Sequence, residues 1–461
     1  MSRRLAARLA YAGVPGARGL AALRAATPEA FVLAAAVPLL FLHAQFQPSL
    51  SISAAGASVT AYLSDFAVLA VVVAALTTVR RDGAAALRAG RLLWGAIALL
   101  LVWIAVAVGY GHMHASAYSL STHGVSAAKF AEYALLAPAV ALIAQRRVNL
   151  LVLIWTIVAW SWAATIVGIL EFFAVPVADP HPSLGHRQAS FLSSSDFAAL
   201  SGAALVIGMA AVAVPRLGLG SRLGAVAATT GLLGMIVAGS VASVLGLVTA
   251  LAALVLVLVL RRELSPRRAA TVAALGAVVL AGTVIVRGSD LETFARFLRG
   301  SPVAQTRSTR VPSYAHRTLL AWMGWEMWKD HPLLGLGWEG SADPADFIAY
   351  LPAMHRRFPT EPALAFPAAM PGRRYGVQNA WIEALADLGV VGFALWAGVF
   401  ATAAWLALRG ALRSAAVAPV LGVLGLALIV WIWAAQGFYA GIPLDALTFL
   451  VLGLAAVRET A

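Results

Sequence analysis

The sequence predicts an all-α polytopic membrane protein of about twelve transmembrane helices, with one large extracytoplasmic loop that contains an interfacial helix. Three observations predict it. Of 461 residues, 61% are hydrophobic and only 11% charged, with a mean hydropathy of +0.86, whereas a soluble domain carries about 25% charged residues. Apolar runs of roughly twenty residues, the length of a bilayer-spanning helix, recur along the chain. The arginines gather in short clusters between those runs, as topology determinants do. This pattern excludes a disordered chain, a secreted disulfide module and a large soluble enzyme. The net charge of +13 therefore does not indicate a nucleic-acid partner, since no basic surface is assembled. With no cysteine, disulfides, Fe–S clusters and cysteine-held zinc are excluded.

Taken in order, residues 1–28 form a basic N-terminal segment with five arginines and no acid, broken by Pro15 and Gly16. A signal peptide with so long a charged region would be unusual, so an uncleaved first helix is expected. Nine spans are expected within residues 29–286, at 29–46, 60–79, 92–110, 125–144, 148–170, 196–214, 223–239, 241–260 and 269–286. Three more, at 385–408, 415–434 and 443–457, fall in residues 378–461, which end in a short tail. With the N-terminus inside, the inner loops and tails hold twenty arginines and the short outer loops hold one, Arg187. The positive-inside rule then places both termini in the cytoplasm.

Residues 287–377 form the one long loop, on the outer face. It holds eleven basic and eight acidic residues, nine of the 21 prolines, and four tryptophans between 322 and 338. Long loops translocate largely regardless of charge, and this one has enough apolar content to fold. Ser313 to Asp330 reads as a helix at the interface, with Leu319, Leu320, Met323 and Met327 in one stripe and Arg317, Ala321 and Gly324 in another. The small residues of the second stripe are expected to leave room for a lipid headgroup. Trp322, Trp325 and Trp328 suit the headgroup layer, and Pro332, Gly335 and Gly337 end the helix in a turn. Gly335, Gly337 and Gly340 spell G-x-G-x-x-G, but after a helix rather than a strand, so a dinucleotide fingerprint is rejected.

The polar chemistry gathers at the outer side. All nine histidines fall there, as do Asp65, Lys129, Glu132, Glu383, Asp387 and Asp445. Charges at membrane depth are costly and mark function by default. Lys129 and Glu132, spaced i, i+3 on one helix, can neutralise each other, and a bracing role is at least as apt for them as a catalytic one. His112, His114 and His123 have the look of a metal set, but their Ser, Tyr and Gly neighbours favour a solvated loop, so no metal is expected.

Three runs carry a family resemblance. Arg317, Trp322 and the segment Asp330-His331-Pro332-Leu333-Leu334-Gly335-Leu336-Gly337 form the first. Gln378-Asn379-Ala380-Trp381-Ile382-Glu383 and Ala386-Asp387-Leu388-Gly389-Val390-Val391-Gly392 form the others. Together they resemble the shared core of bacterial O-antigen ligases and polymerases. Arg187-Gln188-Ala189-Ser190-Phe191 before Asp196 is a weaker match. The resemblance covers roughly residues 180–410.

It implies a metal-independent glycosyltransferase of the bacterial cytoplasmic (inner) membrane, working on the outer face without a cofactor. The donor would be a polyprenyl-diphosphate-linked glycan and the acceptor a lipid or another glycan, amid membrane lipids and with no nucleic acid. Arg317 and Arg187 are the candidates for the donor diphosphate, because the guanidinium fork matches phosphate oxygens. Arg310, Arg356, Arg373, His316 and Asn379 are candidate substrate ligands, with Arg307, Arg357 and Arg374 as further loop cations. The family's histidine before asparagine is Gln378 here, and glutamine is no base. Related peptidoglycan polymerases of the shape and division type place an aspartate near this point. Three explanations stay open: Glu383 is the base; His316, His331 or His355 folds in; or leaving-group stabilisation drives the reaction while Gln378 orients the acceptor. Two other classes also remain, a flippase or transporter for the same lipid-linked glycan, and an inactive scaffold of an envelope-assembly complex.

Overall fold

The computed structural model describes residues 25–54, 57–115, 118–182, 184–299, 313–358, 376–414, 416–438 and 442–460. The basic N-terminal segment up to residue 24 lies outside them. The chain opens with α1 (Pro28–Leu40), a hairpin of β1 (Ser49–Ala54) and β2 (Ala57–Tyr62), α2 (Leu63–Asp82), α3 (Arg91–His114), α4 (Leu120–Ala134) and α5 (Leu136–Ile143). Then come α6 (Arg147–Phe172), α7 (Ser194–Ala213), α8 (Ser221–Ala238), α9 (Val241–Leu260) and α10 (Pro266–Leu298). The long loop contributes α11 (Ser313–Asp330) and α12 (Pro344–Arg357), and α13 (Ala380–Arg413), α14 (Val417–Trp433) and α15 (Ile442–Ala456) complete the chain.

Among the described residues, nine helical segments are long and apolar enough to cross a membrane. They match nine of the twelve expected spans. The other three, α1, α14 and α15, are shorter apolar helices of 13, 17 and 15 residues. The expected span 29–46 stops at Leu40, so it reaches only about 20 Å at 1.5 Å per residue. Its end has a visible cause. The buried Gln47 donates from Nε2 to the carbonyls of Leu39 and Leu42, and its Oε1 accepts the Ser64 amide. The chain turns there into the β1–β2 hairpin, paired from Ser49–Tyr62 to Ala54–Ala57, an element the hydropathy pattern did not announce. The fourth span is α4 and α5 joined at Leu135, where Pro138 has no amide hydrogen to offer the Ala134 carbonyl.

α7 is the central helix. Its Ser/Ala/Gly-rich sequence is buried on nearly every side, and small residues let neighbouring backbones approach. A side chain at Gly208 would strike the Ala228 backbone, and one at Gly231 the Leu205 backbone, which is why α7 and α8 lie so close. The two ends of the bundle differ. At one, Arg81 pairs with Glu29, Arg146 with Asp82, Arg147 with Glu459, and Arg216 and Arg261 with Glu263. The opposite end carries the loops between α3 and α4, α6 and α7, and α14 and α15, with α11 and α12 packed on it.

Candidate functional site

α11 forms over the expected residues, and its stripe of Leu319, Leu320, Met323 and Met327 is fully buried. What covers the stripe differs from the expectation of a helix lying on the membrane. It packs into a second hydrophobic core with Phe347 and Met354 of α12, and with Val377 and Ala386 beside and on α13. The space beside Gly324 is likewise not left for a headgroup. A Cβ there would sit 2.7 Å from Val377 and 3.0 Å from Ile382, so the glycine admits the chain entering α13. α12 is tied down by Tyr350, whose hydroxyl donates to Asp330 at 2.9 Å. Burial, and then that bond, push the Tyr350 pKa up.

The segment from Pro332 to Gly337 docks into a break in α13. Gly389 departs from helical geometry with φ 65° and ψ −173°. In an unbroken helix the Val390 amide would donate to the Ala386 carbonyl. Here Val390 donates instead to Pro332, and Ala386 accepts from Leu336, both at 2.9 Å. Gly337 donates to the Asp387 carbonyl at 2.9 Å, and the Trp103 indole to that of Leu388 at 3.1 Å. These groups of the interrupted turn therefore find partners, as buried backbone must. The glycines serve this contact: a Cβ on Gly335 would overlap the Asp387 carbonyl, and one on Gly389 that of Leu333.

The docked loop continues into a group of carboxylates. Glu383 and Asp387, one turn apart on α13, are both buried. Glu383 Oε2 accepts the Phe438 amide, and Asp387 Oδ1 accepts the Ser341 amide at 2.7 Å. Asp343 receives His123 Nε2 at 3.2 Å. His123 is not in a solvated loop; it is fully buried on α4, stacked on Tyr118 at 3.8 Å, with its Nδ1 4.0 Å from Glu339 Oε2. Asp445 is fully enclosed, and among the described residues neither of its oxygens has a hydrogen-bond partner. Aromatic rings floor the group: Phe438 packs on Trp338 at 5.2 Å and on Trp396 at 4.7 Å. Among the described residues no cluster of three or more His, Asp or Glu is arranged to hold a metal.

The ion pair that Lys129 makes is with Asp65 rather than with Glu132. Lys129 reaches across to α2, donating to Asp65 at 2.9 Å and to the Thr60 carbonyl at 2.7 Å, while Tyr133 holds the other Asp65 oxygen. The hairpin brings Thr60 and Asp65 within reach, a long-range contact that helical spacing alone cannot foresee.

The candidate cations fall into separate places. Arg187 lies in the loop between α6 and α7, shaped by the buried Glu171, which accepts amides from Ala178, Asp179 and Ser190. A Cβ on Gly239 would be 3.2 Å from Arg187 and 3.4 Å from Arg287. The two arginines therefore flank one glycine. Hydropathy ends the ninth span at 286 and leaves Arg287 in the loop, whereas α10 runs on to Leu298 and Arg287 is buried. Arg317 is half-buried on α11, a helix that packs on α13 and touches α10. Burial, and then the charge of Arg317, hold the adjacent His316 below the usual histidine pKa. His331, His355 and Arg356 are exposed. Arg357 lies over the Trp322 and Phe358 rings, at 5.6 and 5.2 Å. Gln378 is half-buried with φ 52°, a left-handed backbone rare for glutamine. Asn379 caps α13, its Oδ1 accepting the Ile382 amide at 3.2 Å. Arg307, Arg310, Arg373 and Arg374 lie outside the described residues.

No curated protein matches the chain. A family model described as O-Antigen ligase matches residues 225–397, a stretch that runs from α8 through the docked loop and across the break in α13. Residues 225–397 are thus similar to an O-antigen ligase domain, in a chain whose described residues include nine helices long and apolar enough to cross a membrane.

Proposed function

We propose that the protein is a glycosyltransferase of cell-envelope polysaccharide assembly, working on the outer face of the bacterial cytoplasmic membrane. It moves a glycan from a polyprenyl-diphosphate donor to a lipid or glycan acceptor. The coarse role follows from the O-antigen ligase domain. The observation that carries the finer reading is the convergence of Arg187 and Arg287 on Gly239, at the end of the bundle where α11 and the carboxylate group also lie. Guanidinium forks match the oxygens of a diphosphate, so two arginines meeting at one glycine suit a diphosphate-bearing donor.

In this reading Arg187 and Arg287 hold the diphosphate, and Arg317 adds charge to it as the glycosidic bond breaks. Stabilising a leaving group that gains charge in the transition state is the larger part of such catalysis. Gln378 orients the acceptor from its strained backbone position. Glu383 is engaged with the Phe438 backbone, so it positions the loop between α14 and α15. The break in α13 is filled by Pro332–Gly337, so it offers no vacant midplane site of the kind a transporter uses.

The test uses purified protein in liposomes loaded with the lipid-linked glycans that accumulate when the gene is removed. Joining of glycans without transport is expected. Transport without joining would replace this reading with a flippase, and neither activity would favour a scaffold.

A further inference from the structure

Gln378 leaves the family's usual proton acceptor missing, and the structure offers another group close by. Glu339 begins the short turn Gly340–Ala342 and has a left-handed backbone, φ 56°. That conformation suits glycine; a longer side chain held there is retained against strain, and strain of this kind collects at functional positions. Glu339 lies within electrostatic reach of Glu383, Asp387 and Asp445. Those three and Asp343 are buried, whereas the Glu339 side chain keeps 15% of its surface exposed. It is the member of the group that a substrate can touch. Gly376, two residues before Gln378, faces both Glu383 and Ala342, and Ala342 closes the short turn that Glu339 begins.

Behind Glu339 stands His123. Its Nε2 lies 3.2 Å from the Asp343 carboxylate, the geometry of an Nε2–H donor, which leaves Nδ1 to face Glu339. That Nδ1 is buried, has no hydrogen-bond partner among the described residues, and lies 4.0 Å from Glu339 Oε2. A carboxylate, an imidazole and a second carboxylate thus stand in sequence. Catalytic hydrogen bonds are often long before substrate binds.

We propose that Glu339 is the general base of this enzyme in place of the absent histidine, with His123 and Asp343 as a proton relay behind it. The inference rests on the glycosyltransferase reading. The acceptor hydroxyl oxygen bonds to the donor's anomeric carbon as the bond from that carbon to the diphosphate oxygen breaks, its electron pair leaving with the diphosphate. The hydroxyl proton passes to the Glu339 carboxylate and on to His123 Nδ1, while Nε2–H stays bonded to Asp343. The proton returns through Glu339 to water when the product departs.

The experiment measures glycan joining by wild type, Glu339→Gln and the double variant Glu339→Gln/Gln378→His, with the accumulated lipid-linked glycans as substrate and at equal amounts of folded protein. Glu339→Gln keeps size and hydrogen bonding but accepts no proton. Its kcat should fall about a hundredfold or more, with KM for the donor little changed, in line with the 10²–10⁴ that a positioned base supplies. Restoring a histidine at 378 should recover at least about tenfold of that loss, which repair of packing would not do. A Glu339→Gln enzyme at the wild-type rate overturns the inference, as does a slow variant that Gln378→His leaves slow. If wild type itself joins nothing, it is the glycosyltransferase reading that fails.

Discussion

At Arg317 a substitution separates charge from shape. A charge-assisted hydrogen bond contributes about 1.5–3 kcal/mol. If Arg317 makes one to the departing diphosphate, Arg317→Ala should slow joining by roughly ten- to a few-hundredfold at equal folded protein. Arg317→Lys keeps the charge and loses the fork, so it should stay clearly impaired. Gln378→Ala should cost less, because orientation is all that residue supplies. Joining at the wild-type rate by Arg317→Ala would remove Arg317 from the site. The sequence selected Arg317 and Arg187 by resemblance and by residue type, and could not select Arg287. Arg287 acquires its meaning from lying beside Arg187 against Gly239, a contact between α10 and a loop one hundred residues earlier. His123 and Glu339 were invisible for the same reason, since their relation spans more than 200 residues.

Among the elements, α13 and the segment that plugs it are the most exacting. Replacing Gly389 with alanine forces a Cβ onto a left-handed backbone, at about 1–3 kcal/mol for the strain alone, and drives it into the Leu333 carbonyl. Thermal unfolding in detergent should show a clear fall in Tm for Gly389→Ala. Gly398→Ala, on the same helix but with nothing within 4 Å of the new Cβ, should show none. Equal stability of the two variants would mean that the 332–337 segment does not hold the break. Activity should fall with Gly389→Ala as well, because the same segment leads directly into Glu339 and Ser341. The motif that the sequence offers as a string of glycines is, in three dimensions, a hydrogen-bond exchange between a loop and a helix.

For the whole molecule, the arginine asymmetry makes a prediction about sidedness. The chain has no cysteine, so single cysteines report without background. Leu333→Cys, at a position 65% exposed, should react with an impermeant maleimide in intact cells whose outer membrane, where present, is permeabilised. Leu264→Cys, 43% exposed at the arginine-rich end, should react only after the cytoplasmic membrane is opened. The reverse pattern would invert the protein and move the site to the cytoplasm.

The sequence by itself determined the class of molecule, nine of the spans and the extent of α11, because hydropathy and helical periodicity are local properties read within a window of a few turns. Only the tertiary structure decided that α1 stops at Leu40, that Lys129 pairs with Asp65 instead of Glu132, and that the small-residue face of α11 is filled by Val377 and Ile382. It decided as well that the Pro332–Gly337 segment completes a broken α13. Each of these is a contact between segments far apart in the chain. Buried polar and backbone groups must find partners wherever the fold brings them, and no local pattern encodes which partner that is.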